Sequence, residues 1–170
     1  MLKAVMFDFG HTIMDELKDR HIPLASRSVY LMPGLYEILP LIKYKMGIWA
    51  NTTEVAGEQE IRIWLRKAGI DKYFKWIATS GDAKARKPDR GFFSHALKMC
   101  NLKRDEIIFV GNQLNTDIQG ANDYGIECIW VSGTAYRSPD DGPSKAQPTY
   151  AIRTLEQLPA LLETLASESS

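Results

Sequence analysis

The sequence predicts an α/β fold in which helices cover both faces of a parallel sheet, a doubly wound arrangement. Short apolar runs alternate with segments of helical periodicity along the whole chain, as in parallel-sheet proteins. The runs are apolar throughout rather than alternating, as in strands buried on both faces. The chain has 170 residues, 45% of them hydrophobic, which is enough for one core. We therefore assign residues 1–165 to a single domain.

The N-terminal half carries three predicted strands and two predicted helices. Residues 2–7 form an apolar run, residues 46–50 form a second that stops at a polar Asn-Thr-Thr, and residues 75–79 form a third. Residues 34–45 follow a proline and place apolar side chains on one helical face, although an internal proline weakens this prediction. Residues 54–68 show the same periodicity and end at a glycine, which favours a second helix.

The next part of the chain repeats the helix–strand alternation twice. A helix is predicted over residues 88–101, with Pro88 at its first position fixing where it starts. Residues 106–110 and 126–131 are apolar runs and are predicted strands. Between them, residues 115–123 are predicted to form a helix that ends near a glycine.

The C-terminal part is predicted to begin with a surface loop. Residues 132–148 are rich in Gly, Pro, Ser and Asp, which is typical of loops. Residues 150–152 are predicted to form a short sixth strand, and Thr154 is predicted to cap a last helix. We expect residues 166–170 to form a disordered tail.

Composition narrows the classes of partner and compartment. The 21 basic residues balance the 21 acidic ones, so neither nucleic acid nor an anionic membrane is an expected partner. The start of the sequence lacks the apolar stretch of a signal peptide, and no apolar run could cross a bilayer, so we expect a cytoplasmic protein. Cys100 and Cys128 lie among apolar residues and are predicted to be buried free thiols.

Polar residues follow several predicted strands, at the sheet edge where ligands of such folds bind. Asp8 could act as a nucleophile or a metal ligand, or only cap a turn. Lys87 could balance negative charge, or only be solvated. Asn112, Asn115 and Asp117 offer oxygen ligands for a hard cation such as Mg²⁺, although residues of these types also cap helices. Each residue alone is weak evidence for a site.

Four segments, in order, resemble the four motifs of the haloacid dehalogenase (HAD) superfamily. AVMFDFGHT resembles motif one, an apolar strand followed by Asp-x-Asp-Gly-Thr, and MGIWANTT resembles motif two, an apolar strand ending in Ser or Thr. ARKPDRGFF resembles the Lys-Pro-Asp segment of motif three, and FVGNQLNTDIQGANDYG resembles motif four, Gly-Asp with a second Asp five positions later. The resemblance covers roughly residues 3–165 and implies the Rossmann-like HAD core.

The resemblance implies a role for each matching residue. Asp8 matches the nucleophile that attacks phosphorus and becomes an aspartyl phosphate. Lys87 matches the lysine that holds this aspartate and the phosphoryl oxygens together. Asn112 and Asp117 match the pair that, with Asp8 and the backbone carbonyl of Gly10, binds Mg²⁺. The implied activity is Mg²⁺-dependent hydrolysis of a phosphate ester of unknown identity.

The motifs are degenerate at three positions. Gly10 replaces the aspartate that protonates the leaving group and then activates water. Ala50 replaces the hydroxyl residue of motif two, so Asn51 or Thr52 is the expected phosphate contact together with Lys87. Asn112 replaces an aspartate, so we expect weak Mg²⁺ binding.

These departures leave two hypotheses for function. The first is a weak phosphatase, in which His11 is a possible substitute acid, although we favour an exposed turn histidine. The second is a catalytically impaired module that binds a phosphorylated ligand or a protein partner. Residues 13–32 leave room only for a loop or a short helix, so the protein is predicted to lack a sizeable cap domain. Family members without a cap often use a partner chain in its place, so a homodimer is possible.

Overall fold

The computed structural model describes residues 1–17, 19–134 and 144–168, which contain a six-stranded parallel sheet. The strands are β1 (Ala4–Phe7), β2 (Lys45–Ala50), β3 (Phe74–Thr79), β4 (Ile107–Gly111), β5 (Glu127–Val131) and β6 (Tyr150–Ile152). Their order across the sheet is β3-β2-β1-β4-β5-β6, and every neighbouring pair is parallel. The predicted fold class is confirmed, and β1 lies between β2 and β4.

Helices pack on both faces of this sheet. The α-helices are α1 (Leu35–Ile38), α2 (Glu58–Lys67), α3 (Ser80–Ala83), α4 (Arg90–Cys100), α5 (Gln119–Tyr124) and α6 (Leu158–Glu168). Because side chains alternate along a strand, Val5 and Phe7 of β1 pack in one core cluster with α1, α2 and α6. Ala4 and Met6 pack in the other cluster, with α4 and α5.

The prediction that Pro88 is the first helical residue is wrong. The Asp89 carboxylate accepts a hydrogen bond from the Gly91 amide at 2.6 Å and caps α4, which begins at Arg90. The Lys87–Pro88 peptide bond is cis. Lys87 and Pro88 belong to the connection before the helix, because the side chain of the next residue, Asp89, caps α4.

Two other predicted helices also start differently. Residues 54–57 form a turn instead of helix, because Asp82 of α3 accepts the Glu58 amide at 2.9 Å and caps α2 from outside the helix. The predicted helix 115–123 begins as a π-helical turn over Leu114–Ile118 and continues as α5. Such wide turns are frequent at functional sites.

At the C-terminus the sixth strand is present as predicted, and the last helix is longer than predicted. Helix α6 continues to Glu168, three residues into the predicted disordered tail. Ser167 and Thr164 donate hydroxyl hydrogen bonds to backbone carbonyls of the preceding turn, which suits a helical end. Residues 169 and 170, and most of the predicted loop at 132–148, lie outside the described residues.

Residues 13–32 contain no domain-sized insertion, as predicted. In their described part, a bridge joins Met14 to Leu31, and a single 3₁₀ turn covers Leu24–Ser26. The Arg27 guanidinium donates to the carbonyls of Ile22 at 2.8 Å and Arg20 at 3.1 Å, which folds the segment back on itself.

Two expectations from composition can be compared with the fold. Cys100 and Cys128 are both buried and free, as predicted. In the described part of the chain, every helix is too short or too polar to span a bilayer.

Candidate active site

Three predicted site residues meet at the carboxyl edge of the sheet. The Lys87 ammonium donates to Asp8 Oδ1 at 2.6 Å and to Asp117 Oδ1 at 2.8 Å. It donates a third hydrogen bond to the Trp49 carbonyl at 2.8 Å, and its side chain is 1% exposed. All three donors of the ammonium are therefore used, and one cation holds together two carboxylates that would otherwise repel.

Asn51 fixes the backbone of Lys87. Its side-chain amide donates to the Lys87 carbonyl at 3.0 Å, and its side-chain oxygen accepts the Lys87 amide at 2.8 Å. These paired bonds attach the lysine to the end of β2. Both polar atoms of the Asn51 side chain are thus used by the Lys87 backbone. The phosphate contact that we predicted for Asn51 stays a prediction.

Thr52 holds the segment after β2 against the start of α3. Its hydroxyl donates to the Ala56 carbonyl at 2.6 Å and accepts the Gly81 amide at 3.3 Å. The Thr52 hydroxyl therefore already has a donor and an acceptor as partners. Its predicted contact with phosphate stays a prediction. Ala50, which stands where motif two has a hydroxyl residue, is fully buried.

The electrostatics follow from burial and from the close charges. Burial, reinforced by the charge of Asp117, raises the pKa of Asp8 to about 7, and Lys87 opposes this rise. Burial acts to lower the pKa of Lys87, but the charges of Asp117 and Asp8 outweigh it and raise that pKa. The ammonium therefore stays protonated at neutral pH.

Asp117 is positioned by the π-helical turn after β4. Its Oδ2 accepts the Gln113 amide at 3.0 Å, while its Oδ1 faces Lys87, so both oxygens accept hydrogen bonds. A Cβ at Gly111 would lie 2.5 Å from the Cβ of Asp117. Only glycine therefore allows the turn to bring this carboxylate over the end of the strand.

The donor set of the predicted metal site fits a hard cation in kind. The Thr12 hydroxyl lies 3.3 Å from Asp8 Oδ2 and 3.4 Å from Asn112 Oδ1, so one hydroxyl contacts both of these side chains. The Asn112 side-chain nitrogen is buried without a hydrogen-bond partner. The backbone hydrogen bonds of the turn after Asp8 are accepted by the carbonyls of Phe9 and Met14, and not by the carbonyl of Gly10.

The same set contains few charged ligands. Among the described residues, no three His, Cys, Asp or Glu side chains are grouped so that they could hold a metal. A cation at Asp8 would therefore depend on neutral oxygens, from Gly10 and Asn112, and on water.

His11 is not exposed, contrary to the interpretation we favoured. It is 3% exposed, and its backbone is left-handed, with φ of 57°. Burial lowers the pKa of its imidazole. The turn that follows Asp8 folds this side chain inward, where it is neutral at pH 7.

A residue that the sequence analysis missed lies beside Gly10. A Cβ built on Gly10 would lie 2.8 Å from both Cδ and Oε2 of Glu16 and 3.0 Å from Oε1. Burial raises the pKa of the Glu16 carboxyl, against the lowering effect of Arg27, whose guanidinium lies 3.5 Å away. Glu16 belongs to a loop without periodicity, and the only indication in the sequence was an acidic residue close to motif one.

Comparisons with known proteins agree with this geometry. Residues 5–131 match the family described as haloacid dehalogenase-like hydrolase. The chain is 33% identical over 141 residues to glyceraldehyde 3-phosphate phosphatase of Pyrococcus furiosus, covering 81% of this chain and 55% of that protein. It is 26% identical over 132 residues to pyrimidine 5′-nucleotidase YjjG of Escherichia coli, covering 77% and 56%. The chain thus spans about half the length of these curated relatives.

A solved structure shows the same fold over the whole chain. An uncharacterized protein from Listeria monocytogenes serotype 4b superposes with a TM-score of 0.82 at 28% identity, covering 98% of this chain and 99% of that one. The family match extends over most of the chain and includes Asp8, directly after β1, and Asp117, in the π-helical turn after β4. The chain belongs to the haloacid dehalogenase-like hydrolase family.

Proposed function

We propose that this chain hydrolyses phosphate monoesters through an aspartyl phosphate on Asp8. The observation that carries the proposal is the buried Lys87 ammonium, 2.6 Å from Asp8 and 2.8 Å from Asp117. A stable fold does not need a buried cation between two carboxylates at a strand edge, whereas a site that receives a dianionic phosphate does need a fixed cation. Relatives named as phosphatases and nucleotidases support the same reaction class.

The geometry assigns a task to each group. Asp8 Oδ1 accepts a short hydrogen bond of 2.6 Å from the Lys87 ammonium, whereas the hydrogen bond from the Thr12 hydroxyl to Oδ2 is long, at 3.3 Å. Oδ2 is therefore the oxygen less engaged and better placed to attack phosphorus. Lys87 keeps the nucleophile oriented and lowers the repulsion between it and the incoming phosphate.

The proposed activity depends on Mg²⁺. Asp8, the Gly10 carbonyl and Asn112 would hold the ion, and the carboxylate of Asp117 would add negative charge close by. A bound Mg²⁺ would neutralise charge between the phosphate and Asp8. Because Asn112 is neutral, the binding is expected to be weak, and activity should need millimolar metal, roughly at the weak end of protein sites for divalent ions.

Phosphate release measured with and without Mg²⁺ tests the proposal. The substrates are 4-nitrophenyl phosphate, triose phosphates and pyrimidine nucleoside 5′-monophosphates, assayed beside Asp8→Asn. We expect Mg²⁺-dependent release that Asp8→Asn abolishes. The matched control is Asp105→Asn, an exposed aspartate at the opposite end of the neighbouring strand β4, which should keep full activity.

A second candidate is a module that binds a phosphorylated ligand or a protein partner without turnover. It is favoured by the three departures at Gly10, Ala50 and Asn112. Phosphate analogues that bind and raise the melting temperature, while no ester is hydrolysed with Mg²⁺, would select this candidate.

A further inference from the structure

The side chain of Glu16 lies in the space that Gly10 leaves open. Position 10 is two residues after the proposed nucleophile, and a Cβ there would lie 2.8 Å from the Glu16 carboxyl carbon. An aspartate at position 10 would extend its own carboxylate into the same space. Glu16 thus brings a carboxylate to within 3.0 Å of where a side chain at position 10 would begin, from a different point of the chain.

We propose that Glu16 is the general acid and base of the phosphatase reaction, an inference that rests on the proposed function. In the first step Asp8 forms a bond to phosphorus while the bond to the leaving oxygen breaks, and the Glu16 carboxyl gives its proton to that oxygen. In the second step water attacks phosphorus and its proton passes to the Glu16 carboxylate. The bond between phosphorus and Asp8 then breaks, releasing inorganic phosphate.

The surroundings of Glu16 hold the carboxylate without closing it off. Nη1 of Arg27 lies 3.5 Å from Oε1 of Glu16, and the Arg27 guanidinium itself donates to the carbonyls of Ile22 and Arg20. The Glu16 side chain is 31% exposed, so a leaving group or a water can reach it. The ion pair with Arg27 therefore positions Oε1, while Oε2 lies 3.9 Å from Nε2 of His11, and both oxygens lie within 3.0 Å of a Cβ built at Gly10.

Two other roles are less well supported. As a metal ligand Glu16 would have to join Asp8 and Asp117, but no such group of three is present among the described residues. As an acid His11 would need to be exposed to substrate, and its side chain is 4% exposed.

Kinetics on two leaving groups test the assignment. We compare kcat/KM of wild type and Glu16→Gln for 4-nitrophenyl phosphate and for an alkyl phosphate. The alkoxide leaving group depends strongly on protonation, so kcat/KM for the alkyl phosphate should fall by about 10²-fold or more. The kcat/KM for 4-nitrophenyl phosphate should fall by less than about fivefold, because nitrophenolate leaves without a proton. Glu163→Gln, an exposed glutamate of α6, is the control and should change neither value.

A swap of the two side chains separates chemistry from structure. Glu16→Ala should show the same selective loss, and Gly10→Asp/Glu16→Ala should recover most of the alkyl phosphate activity. The backbone at Gly10 is not left-handed, so an aspartate is tolerated there. Thermal melting of each variant checks that the fold is retained.

The outcomes separate this inference from the proposed function. An active wild type whose Glu16→Gln variant loses equal activity on both esters, or whose swap recovers nothing, would overturn the assignment of Glu16 alone. A wild type that hydrolyses no ester with Mg²⁺ would defeat the proposed function, and the assignment of Glu16 with it.

Discussion

At the scale of single residues, the ammonium of Lys87 separates two carboxylates that are buried within a few ångströms of each other. Its contacts with Asp8 and Asp117 are 2.6 and 2.8 Å. Replacing one member of such a buried group leaves uncompensated charge, which costs far more than the intact group contributes. We therefore expect Lys87 to contribute to stability as well as to the proposed chemistry.

We predict that Lys87→Met lowers the free energy of unfolding by about 3 kcal/mol in urea titrations at neutral pH. Adding Asp117→Asn should recover part of the loss, because only one buried carboxylate then remains, so the two changes will not be additive. Lys98→Met, at an exposed lysine of α4, is the control and should change little. Equal stability of Lys87→Met and wild type would show that the ammonium does not compensate the carboxylates.

Asn112 gives a prediction about metal affinity. Asn112→Asp adds a negative ligand beside Asp8 and loses no hydrogen bond of the side-chain nitrogen, which has no partner. We expect Mg²⁺ to bind at least about tenfold more tightly by calorimetry, because the charge of the ligands tunes affinity for hard cations. Without metal the variant should melt at a lower temperature than wild type. An unchanged Mg²⁺ affinity in Asn112→Asp would show that Asn112 is not a ligand of the ion.

At the scale of elements, the approach of α5 to α4 determines where Asp117 lies. Gly120 in the first turn of α5 faces Phe93 of α4, and a Cβ there would lie 2.4 Å from the Phe93 ring. The π-helical turn with Asp117 directly precedes α5, so a displacement of this helix away from α4 is expected to shift the carboxylate relative to Lys87.

We predict that Gly120→Ala destabilises the protein by about 1–3 kcal/mol through overpacking, although alanine favours helices. Phosphatase activity should fall as well, since Asp117 is displaced. The double variant Gly120→Ala/Phe93→Leu provides the control. It should cost less than the sum of its single changes in urea unfolding, because leucine frees space. Strict additivity would mean that the two residues do not meet.

The element boundaries show where local sequence was insufficient. The strands could be predicted because runs such as that of β1 must be apolar on both faces. The starts of α2 and α4 could not, because Asp82 and Asp89 compete with other polar residues for the capping role, and only the folded chain decides which reaches the amide. Glu16 escaped prediction for a related reason, since its place depends on how Arg27 folds the loop.

At the scale of the whole molecule, the C-terminal elements complete a core that the family match does not reach. The match ends at residue 131, whereas β6 and α6 follow it. Leu158 and Leu162 of α6 are buried in the same cluster as Val5 and Phe7 of the central strand. The strand that ends directly before Asp8 is therefore packed against elements from beyond the matched region.

We predict that Leu158→Ala lowers the free energy of unfolding by about 3 kcal/mol, in the range for a buried leucine that leaves a cavity. Leu41→Ala, at a leucine that is 59% exposed, is the matched control and should cost under about 1 kcal/mol. Both values come from urea titrations monitored by tryptophan fluorescence. Similar costs for the two variants would show that α6 is not part of the cooperative core.

The contact between Gly10 and Glu16 also bears on the history of the protein. A side chain at position 10 would meet the Glu16 carboxyl carbon at 2.8 Å, so an aspartate there would compete with Glu16 for the same space and would force Glu16 to turn away. On the proposed role of Glu16, loss of Glu16 alone would leave the site without an acid, and Gly10→Asp alone would crowd the Glu16 carboxylate. The two positions should therefore change together among related sequences.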